Sequence, residues 1–389
     1  MALHQLRARA LSLILRSNPR HAAPLVTLHR FLSRAAADTA SSVSSRPLVA
    51  EDYLVSRCGL TPAKAHKLAK KISHLSSCSK PDAVLAFLGG TLGVPAAAIT
   101  AAVTIDPAIL CSDVEQTLTP RVADLFDLGL SPDEIRRLIP LAPASFRNRF
   151  LRRNFEFWLK ELGSFDKLLL ALRMNSGLLS IDLGNVAKPN LAYLRQCGMN
   201  ASEIGDINMY ATRLLTMNPN HLREAVQRVE ELGLERGTRM FRRALPLISL
   251  MSKEAVAKRL QLLRNFGFSQ EDVLQIFRRA PVSMGLSDQK VQGNLDFLMK
   301  DVGLDLSYIA QRPVLIMYSV QGRLLPRHWL LKVLKEKALL KREPDYYVVA
   351  SMTEKSFVQK FVLPYKDIVP GLADDYASKC SRKVACQEE

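Results

Sequence analysis

A glycine that closes one helix just before a second, shorter helix recurs along this chain at nearly constant spacing. Eight glycines spaced 34 to 36 residues apart carry this pattern: Gly59, Gly93, Gly129, Gly163, Gly198, Gly233, Gly267 and Gly303. A period in the mid-thirties is typical of helical arrays in which each unit buries its apolar face only against its neighbours. The period therefore predicts an all-α solenoid of about eight repeats, in place of the two or three globular domains that 389 residues would ordinarily form.

The stretch from Leu263 to Pro281 shows how each repeat is built. Gly267 suits the left-handed conformation that closes a helix, and Ser269 suits the N-terminal cap of the next one. In that second helix the apolar residues fall at i, i+3, i+4 and i+7, at Val273, Ile276, Phe277 and Ala280. Because proline cannot continue a helix, Pro281 ends it. Each repeat is therefore predicted to contain two helices joined at the glycine.

An apolar column accompanies the glycines. The residue six places after the glycine is apolar in seven of the eight repeats, at Ala65, Ile99, Ile135, Leu169, Ile204, Val273 and Ile309. Only Arg239 interrupts the column, and Met240 stands beside it. Since an apolar residue at a fixed place in every repeat must face the neighbouring repeats, we expect this column to form the core between them.

The overall composition fits a long continuous core and a polyanionic partner. Apolar residues make up 48% of the chain, and its formal net charge is +17. Such an excess of positive charge favours association with polyanions through long-range attraction. The net charge therefore indicates the kind of partner and says little about the fold.

The first 34 residues differ in composition from the remainder. They contain six arginines and no Asp or Glu, and apolar residues line one helical face, as in an organelle transit peptide. The string Arg30-Phe31-Leu32-Ser33 resembles a mitochondrial processing site, and an amphipathic surface helix is the alternative. We predict that residues 1–45 are a transit peptide and linker. The expected destination is the mitochondrion, with the chloroplast as the alternative.

The repeat domain is predicted to span residues 46–363 and to be followed by a C-terminal tail over residues 364–389. Within the domain, the 23 residues from Ala83 to Ile105 carry no charge, which is long enough for a membrane span. Glycines and a proline interrupt the middle of this run, and Gly93 lies in the repeat register. We therefore expect a buried helix pair here and no membrane span.

The sequence contains no residue grouping typical of catalysis or metal binding. The six cysteines form no CxxC pair, no HExxH is present, and the glycines around Gly93 do not precede GK[ST]. His74 and Cys78 stand four residues apart on a predicted helix, but two ligands do not make a zinc site. We expect reduced, mostly buried thiols, no cofactor, no metal site and no enzymatic activity.

Arginines cluster near the ends of the second helices. The tetrapeptide Phe-Arg-Arg-Ala occurs at residues 241–244 and 277–280, and other arginines follow Ile135 and precede Pro313. Stacked repeats would bring them into a row that contacts nucleic-acid phosphates. The predicted nucleic-acid-binding residues are Arg136, Arg137, Arg242, Arg243, Arg278, Arg279 and Arg312. Aromatic residues make up 7% and are not interleaved with this charge, which favours phosphate contacts over base stacking.

The repeating unit resembles that of the mitochondrial transcription termination factor (mTERF) family. The segments LGLSPDEIRRLIPLAP and FGFSQEDVLQIFRRAP carry the resemblance, and YLVSRCGLTPAKAHKLAKKI and SMTEKSFVQKFV are similar to the plant branch. The resemblance covers residues 50–363. It implies repeats of two α-helices and a short 3₁₀ turn, curved into a superhelix whose concave basic face holds nucleic acid. It also implies a role in organelle gene expression, such as transcription termination, transcript processing or intron splicing.

Two repeats depart from the family pattern. Those closed by Gly163 and Gly198 lack the proline that follows the second helix elsewhere, so we expect them to pack irregularly. No local motif marks the family's base-contacting side chains, and none is transferred to this chain.

Other functional classes remain as alternatives. A protein-binding α-solenoid scaffold would need an acidic or neutral concave face, and its arginines would only solvate exposed helix faces; the tetratricopeptide pattern of similar period is missing. A pentatricopeptide array would lack the capped glycine inside each unit, and an enzyme would need a polar constellation that we do not find. We expect a monomer that binds organelle DNA or RNA.

Overall fold

The computed structural model describes residues 49–207 and 210–381, and every regular element in that part of the chain is helical. The predicted all-α class is therefore confirmed. The segment predicted to be a transit peptide and linker, residues 1–45, lies outside the described residues. By its contacts, the described part of the chain divides into two compact units. The first comprises the described residues up to Lys160 together with Ser176–Ser180, and the second comprises Glu161–Asn175 and the described residues from Ile181 onward.

Each repeat contains the two predicted helices, and most add a short 3₁₀ helix. The first helices are Ala50–Ser56, Ser79–Ala86, Thr119–Asp127, Leu151–Leu162, Lys188–Gln196, Pro219–Glu231, Lys253–Asn265, Asp288–Asp296 and Leu325–Glu336. The second helices are Pro62–Ala69, Ala96–Ile105, Pro132–Leu138, Phe165–Met174, Ala201–Ile207, Arg239–Ile248, Gln270–Arg279, Leu306–Gln311 and Tyr346–Ser351. The 3₁₀ helices between repeats are Pro107–Cys111, Pro143–Arg147, Leu178–Ser180, Ala211–Leu215, Pro281–Gly285 and Pro313–Met317. Turns of π-helix extend several first helices, at Phe87–Thr91, Val114–Leu118, Leu183–Ala187, Phe297–Asp301 and Val320–Leu324. We number the repeats 1 to 9 in this order.

The eight glycines close the first helices as predicted. All eight have φ between +66° and +98°, the left-handed region that L-residues adopt only with strain. At Gly129, the backbone N–H donates to the carbonyl of Phe126 at 2.8 Å, and the next N–H donates to Leu125 at 3.1 Å. These two bonds pair carbonyls that a helix end would otherwise leave unpaired. The seven apolar residues six places after the glycines are all buried.

A ninth repeat closes without a glycine. Ala338 stands 35 residues after Gly303 and is the one non-glycine residue with positive φ in the described part of the chain, at +54°. Its N–H donates to the carbonyl of Lys335, and the N–H of Leu339 donates to Leu334, both at 2.9 Å. This is the same closure as at Gly129. This repeat adds one to the eight that the glycines mark, so the described part of the chain contains nine, in keeping with the predicted count of about eight.

Ala338→Gly should therefore stabilise the protein. A left-handed backbone costs an L-residue roughly 1 kcal/mol that glycine does not incur, so we expect a gain of about 0.5–1 kcal/mol in the free energy of unfolding. Ala338 is exposed, so the substitution removes no core contact. Urea titration followed by circular dichroism measures the change. A lower urea midpoint for the variant would show that this position is not held in the left-handed conformation.

The two repeats without a proline still form the 3₁₀ helix that follows the second helix in other repeats, and their irregular packing stays a prediction. Repeats 4 and 5 form the 3₁₀ helices Leu178–Ser180 and Ala211–Leu215. Between them, the Asn175 side chain donates to the carbonyl of Thr212 at 3.1 Å and to the hydroxyl of Thr216 at 2.8 Å. A side-chain amide thus holds the turn that proline restricts in the other repeats.

In repeats 4 to 9, a polar side chain on the first helix ties that helix to the end of its own repeat, a contact that the sequence did not predict. Asn294, which is 3% exposed, donates to the carbonyls of Ile316 and Tyr318 at 2.7 Å each. The side chains that reach carbonyls at the end of their own repeat in this way are Asn154, Asn190, Arg228, Arg259, Asn294 and Arg327. The bonds of Asn154, Asn190, Asn294 and Arg327 are buried, and a buried carbonyl left unpaired would cost about 1–3 kcal/mol of unfolding free energy.

The segment predicted to be a C-terminal tail is packed as far as Ser381. It is preceded by Glu354–Phe357 and the π turn Val358–Val362, and it contains the 3₁₀ turn Leu363–Tyr365 and helix Leu372–Ser381. Leu372 and Tyr376, spaced i and i+4, are buried in one cluster with Leu330 and Leu334 of repeat 9. An amphipathic helix therefore covers the apolar face of repeat 9.

The uncharged run from Ala83 to Ile105, which is long enough for a membrane span, forms two separate helices. Gly93, at φ +66°, separates Ser79–Ala86 and its π turn from Ala96–Ile105. Among the described residues, no helix is long and apolar enough to cross a membrane.

Candidate nucleic-acid interface

The two arginines of each predicted pair have different surroundings. The first arginine of each pair contacts the preceding repeat. Arg136 donates from Nη1 to the carbonyl of Leu92 at 3.2 Å, beside the closing glycine of repeat 2, and also pairs with Asp133. The guanidinium of Arg278 lies so close to Gly233 that any side chain there would collide with it. These arginines hold neighbouring repeats together.

Arg242 has the same role in repeat 6. Its Nη1 lies 3.7 Å from the Glu203 carboxylate of repeat 5, and Nη2 reaches the carbonyl of Gly237 at 3.5 Å. Its Nε is buried and has no hydrogen-bond partner among the described residues. The Arg242 guanidinium is thus committed to contacts within the protein, which reduces what Arg242 can offer to a ligand.

The second arginine of each pair is exposed. The Arg243 side chain makes no hydrogen bond or ion pair within the part of the chain that the structure describes. Arg279 donates to the carbonyl of Gln311 at 2.6 Å, which positions its guanidinium without neutralising the charge. Arg137 is exposed as well, on the short helix Pro132–Leu138 of the first unit.

Arg312 is held by its own repeat and the next one. Its guanidinium lies 4.1 Å from the centre of the Tyr308 ring and 3.9 Å from the Asp345 carboxylate. The Tyr308 hydroxyl also donates to Asp345 at 2.8 Å. This partly covered cation is less available to a phosphate than Arg243 or Arg279.

Further exposed arginines in the second unit were missed by the sequence analysis. Arg173 stands ten residues after its closing glycine, as Arg243 does, and therefore occupies the same place in repeat 4. Arg213, in a 3₁₀ helix, and Arg239, which interrupts the apolar column, are also exposed. The side chains of these three arginines make no ion pair with any described residue. The equal distance of Arg173 and Arg243 from their closing glycines could have indicated this role. Arg173 was overlooked because it lies outside both Phe-Arg-Arg-Ala segments.

Aromatic rings are more closely associated with the charge than the sequence predicted. Arg223 and Arg236 lie 6.0 and 5.6 Å from the Tyr193 ring centre, and Arg323 lies 4.9 Å from that of Tyr318. Each of these arginines is distant in sequence from its ring or lies on an adjoining turn, so the sequence alone does not indicate the pairing. The rings support guanidinium groups, which fits phosphate binding better than base stacking.

The cysteines and acidic groups provide no second kind of site. The five described cysteines are free thiols, and burial raises the pKa of the Cys58 thiol to about 11, which keeps it protonated and unreactive. Within residues 49–207 and 210–381, no three His, Cys, Asp or Glu side chains are grouped as a metal site would require.

Comparison with known proteins places these features in a family. A family model described as mTERF matches residues 85–238 and 145–358. The chain is 20% identical over 227 residues to "Transcription termination factor MTERF8, chloroplastic" of Arabidopsis thaliana, covering 57% of this chain and 45% of that protein. It is 26% identical over 102 residues to "Transcription termination factor MTEF18, mitochondrial" of the same plant, covering 26% and 18%. The chain therefore matches less than half the length of either relative.

Proposed function

Because the chain belongs to the mTERF family, we propose that it binds nucleic acid inside an organelle and regulates gene expression there. Two plant relatives carry the name of transcription termination factors, one chloroplastic and one mitochondrial. Their names support a role in termination, while transcript processing and splicing belong to the same proposal. The ligand is double-stranded DNA, RNA, or both.

The observation that carries this proposal is the set of exposed, acid-free arginines on the second unit. Arg173, Arg243 and Arg279 lie on the second helices of repeats 4, 6 and 7. All three helices belong to the second unit, and Gln270–Arg279 packs on Leu306–Gln311 of the next repeat. Exposed cations on several repeats of one unit can neutralise several phosphates of a strand or duplex. Solubility alone does not require an excess of one sign of charge.

The mechanism that follows needs no active site. Arginine–phosphate contacts release counterions and fix the position of the protein on nucleic acid, but they carry little sequence information. Sequence preference would then come from other side chains or from deformation of the nucleic acid. A bound array that dissociates slowly would halt a polymerase, or hold a transcript in one conformation during its maturation.

Crosslinking of the tagged protein in isolated organelles, followed by sequencing of the attached nucleic acid, tests the proposal. We expect recovery of discrete organelle DNA or RNA segments above a control with an unrelated tagged organelle protein. Recovery of protein partners with no nucleic acid above that control would favour the scaffold alternative and overturn the proposal.

We also propose that residues 1–45 direct the protein to mitochondria, because the first 34 residues contain six arginines and no acid. A fusion of this segment to a fluorescent reporter should co-localise with a mitochondrial marker. The matched control replaces the six arginines with glutamine and should remain in the cytosol. Cytosolic fluorescence of the unmodified fusion would contradict organelle import, and plastid fluorescence would change the compartment only.

A further inference from the structure

Four arginines lie within seven residues where repeat 4 begins, and two of them are neutralised by acids. The Nε of Arg147 lies 2.9 Å from the Asp106 carboxylate. Arg152 lies 3.7 to 4.0 Å from three carboxylates, those of Asp124, Asp127 and Glu156. Acids are therefore close enough to pair with cations throughout this part of the first unit.

The other two arginines avoid those acids and lie over one exposed ring. The guanidinium carbon of Arg149 lies 4.7 Å from the centre of the Phe150 ring, and that of Arg153 lies 4.3 Å from it. Neither arginine pairs with a carboxylate of any described residue, and the polar contact of Arg153 is the Asn154 side-chain oxygen at 3.4 Å. Both arginines are exposed, and Phe150 is 37% exposed.

This arrangement leaves two neighbouring positive charges that an anion would neutralise. The two charges repel each other. Attraction between each cation and the ring face offsets that repulsion. The ring therefore holds both guanidiniums near one point without a carboxylate, so that one anionic ligand can contact both.

We propose that Arg149, Phe150 and Arg153 form a clamp for the phosphate backbone of nucleic acid, in which the ring orders the two guanidinium groups before binding. The inference rests on the proposed function and locates a phosphate-binding site in the first unit. Because cations already cover the ring, the clamp takes phosphate and not a stacked base. It therefore binds duplex and single strand alike.

Phe150→Leu separates the clamp from simple charge attraction, because it keeps both arginines and removes the ring. With full-length protein and a labelled duplex or its single strand, we expect affinity to fall about two- to fivefold for both ligands. The dependence of log affinity on log salt should keep its slope, since the number of charges is unchanged. Arg149→Ala/Arg153→Ala should reduce the magnitude of that slope by about 2.

Lys70→Ala/Lys71→Ala is the matched control, since it removes two exposed cations from the same unit without touching a ring. It should change the slope less than the arginine pair does. Equal slopes for the two double variants, unchanged affinity of Phe150→Leu, or a Phe150→Leu loss confined to the single strand would each overturn the clamp. Failure of the wild type to bind either ligand would instead overturn the proposed function.

Discussion

Gly198→Ala should lower the free energy of unfolding by about 2–4 kcal/mol, the largest effect of any single substitution at the helix-closing glycines. The φ of +74° at Gly198 costs an alanine roughly 1–2 kcal/mol. A Cβ there would also lie 2.8 Å from the Cα of Gly237, a backbone atom that cannot rotate away. The N–H of Gly237 donates to the Cys197 carbonyl at 3.1 Å, so relieving the clash would lengthen that bond.

Gly163→Ala provides the matched control for this prediction. Gly163 has φ +86°, and a Cβ there would meet no atom within 4 Å. It should therefore cost only the backbone strain, about 1–2 kcal/mol. Urea titrations of both variants by circular dichroism measure the difference. Equal losses would mean that the backbone of Gly237 does not pack against Gly198 in solution.

Arg243→Ala/Arg279→Ala should weaken nucleic-acid binding by roughly tenfold or more at moderate salt, with little change in stability. Both guanidiniums are exposed and have no acidic partner among the described residues. Removing two phosphate contacts should reduce the magnitude of the slope of log affinity against log salt by about 2. All sequences should lose affinity by similar factors, because phosphate contacts carry no sequence information.

Arg242→Ala/Arg278→Ala removes the same charge from the same two helices and is the control. Arg242 and Arg278 contact Glu203 and Gly233 of the preceding repeats. Their loss should lower the melting temperature and change the salt slope less than the loss of the exposed pair. If the two double variants have the same slope, exposure does not decide which arginine meets a phosphate, and this assignment of roles is wrong.

The helix-closing glycines show what could be predicted from sequence. Left-handed backbone has a strong residue preference, so the eight glycines marked eight closures that the structure confirms. The same reasoning failed at Ala338, where the end of helix Leu325–Glu336 holds an alanine in the conformation that glycine prefers. Ser269 forms the expected N-terminal cap, because a cap depends only on residues within one turn.

The sequence could not predict which arginine of each pair is packed and which is exposed, because this depends on contacts between repeats. Arg242 and Arg243 are adjacent in sequence, yet the first lies against Glu203, about 40 residues earlier, while the second faces water. Nothing within the Phe-Arg-Arg-Ala segment distinguishes them. The same holds for Phe150, whose arginine partners are close in sequence but are left without an acid because Asp106 and Asp124 pair with Arg147 and Arg152 instead. Local chemistry therefore predicted the fold, while contacts between elements define the candidate interface.

The salt dependence of binding by the full-length wild type tests the central claim most directly. Affinities for a labelled duplex and its single strand, measured by anisotropy across a series of salt concentrations, give the slope of log affinity against log salt. For the duplex we predict a slope as steep as about −3 or steeper, because each arginine–phosphate contact contributes about −0.9. Absence of binding at low salt, or binding that does not change with salt, would contradict a function based on arginine contacts with nucleic acid.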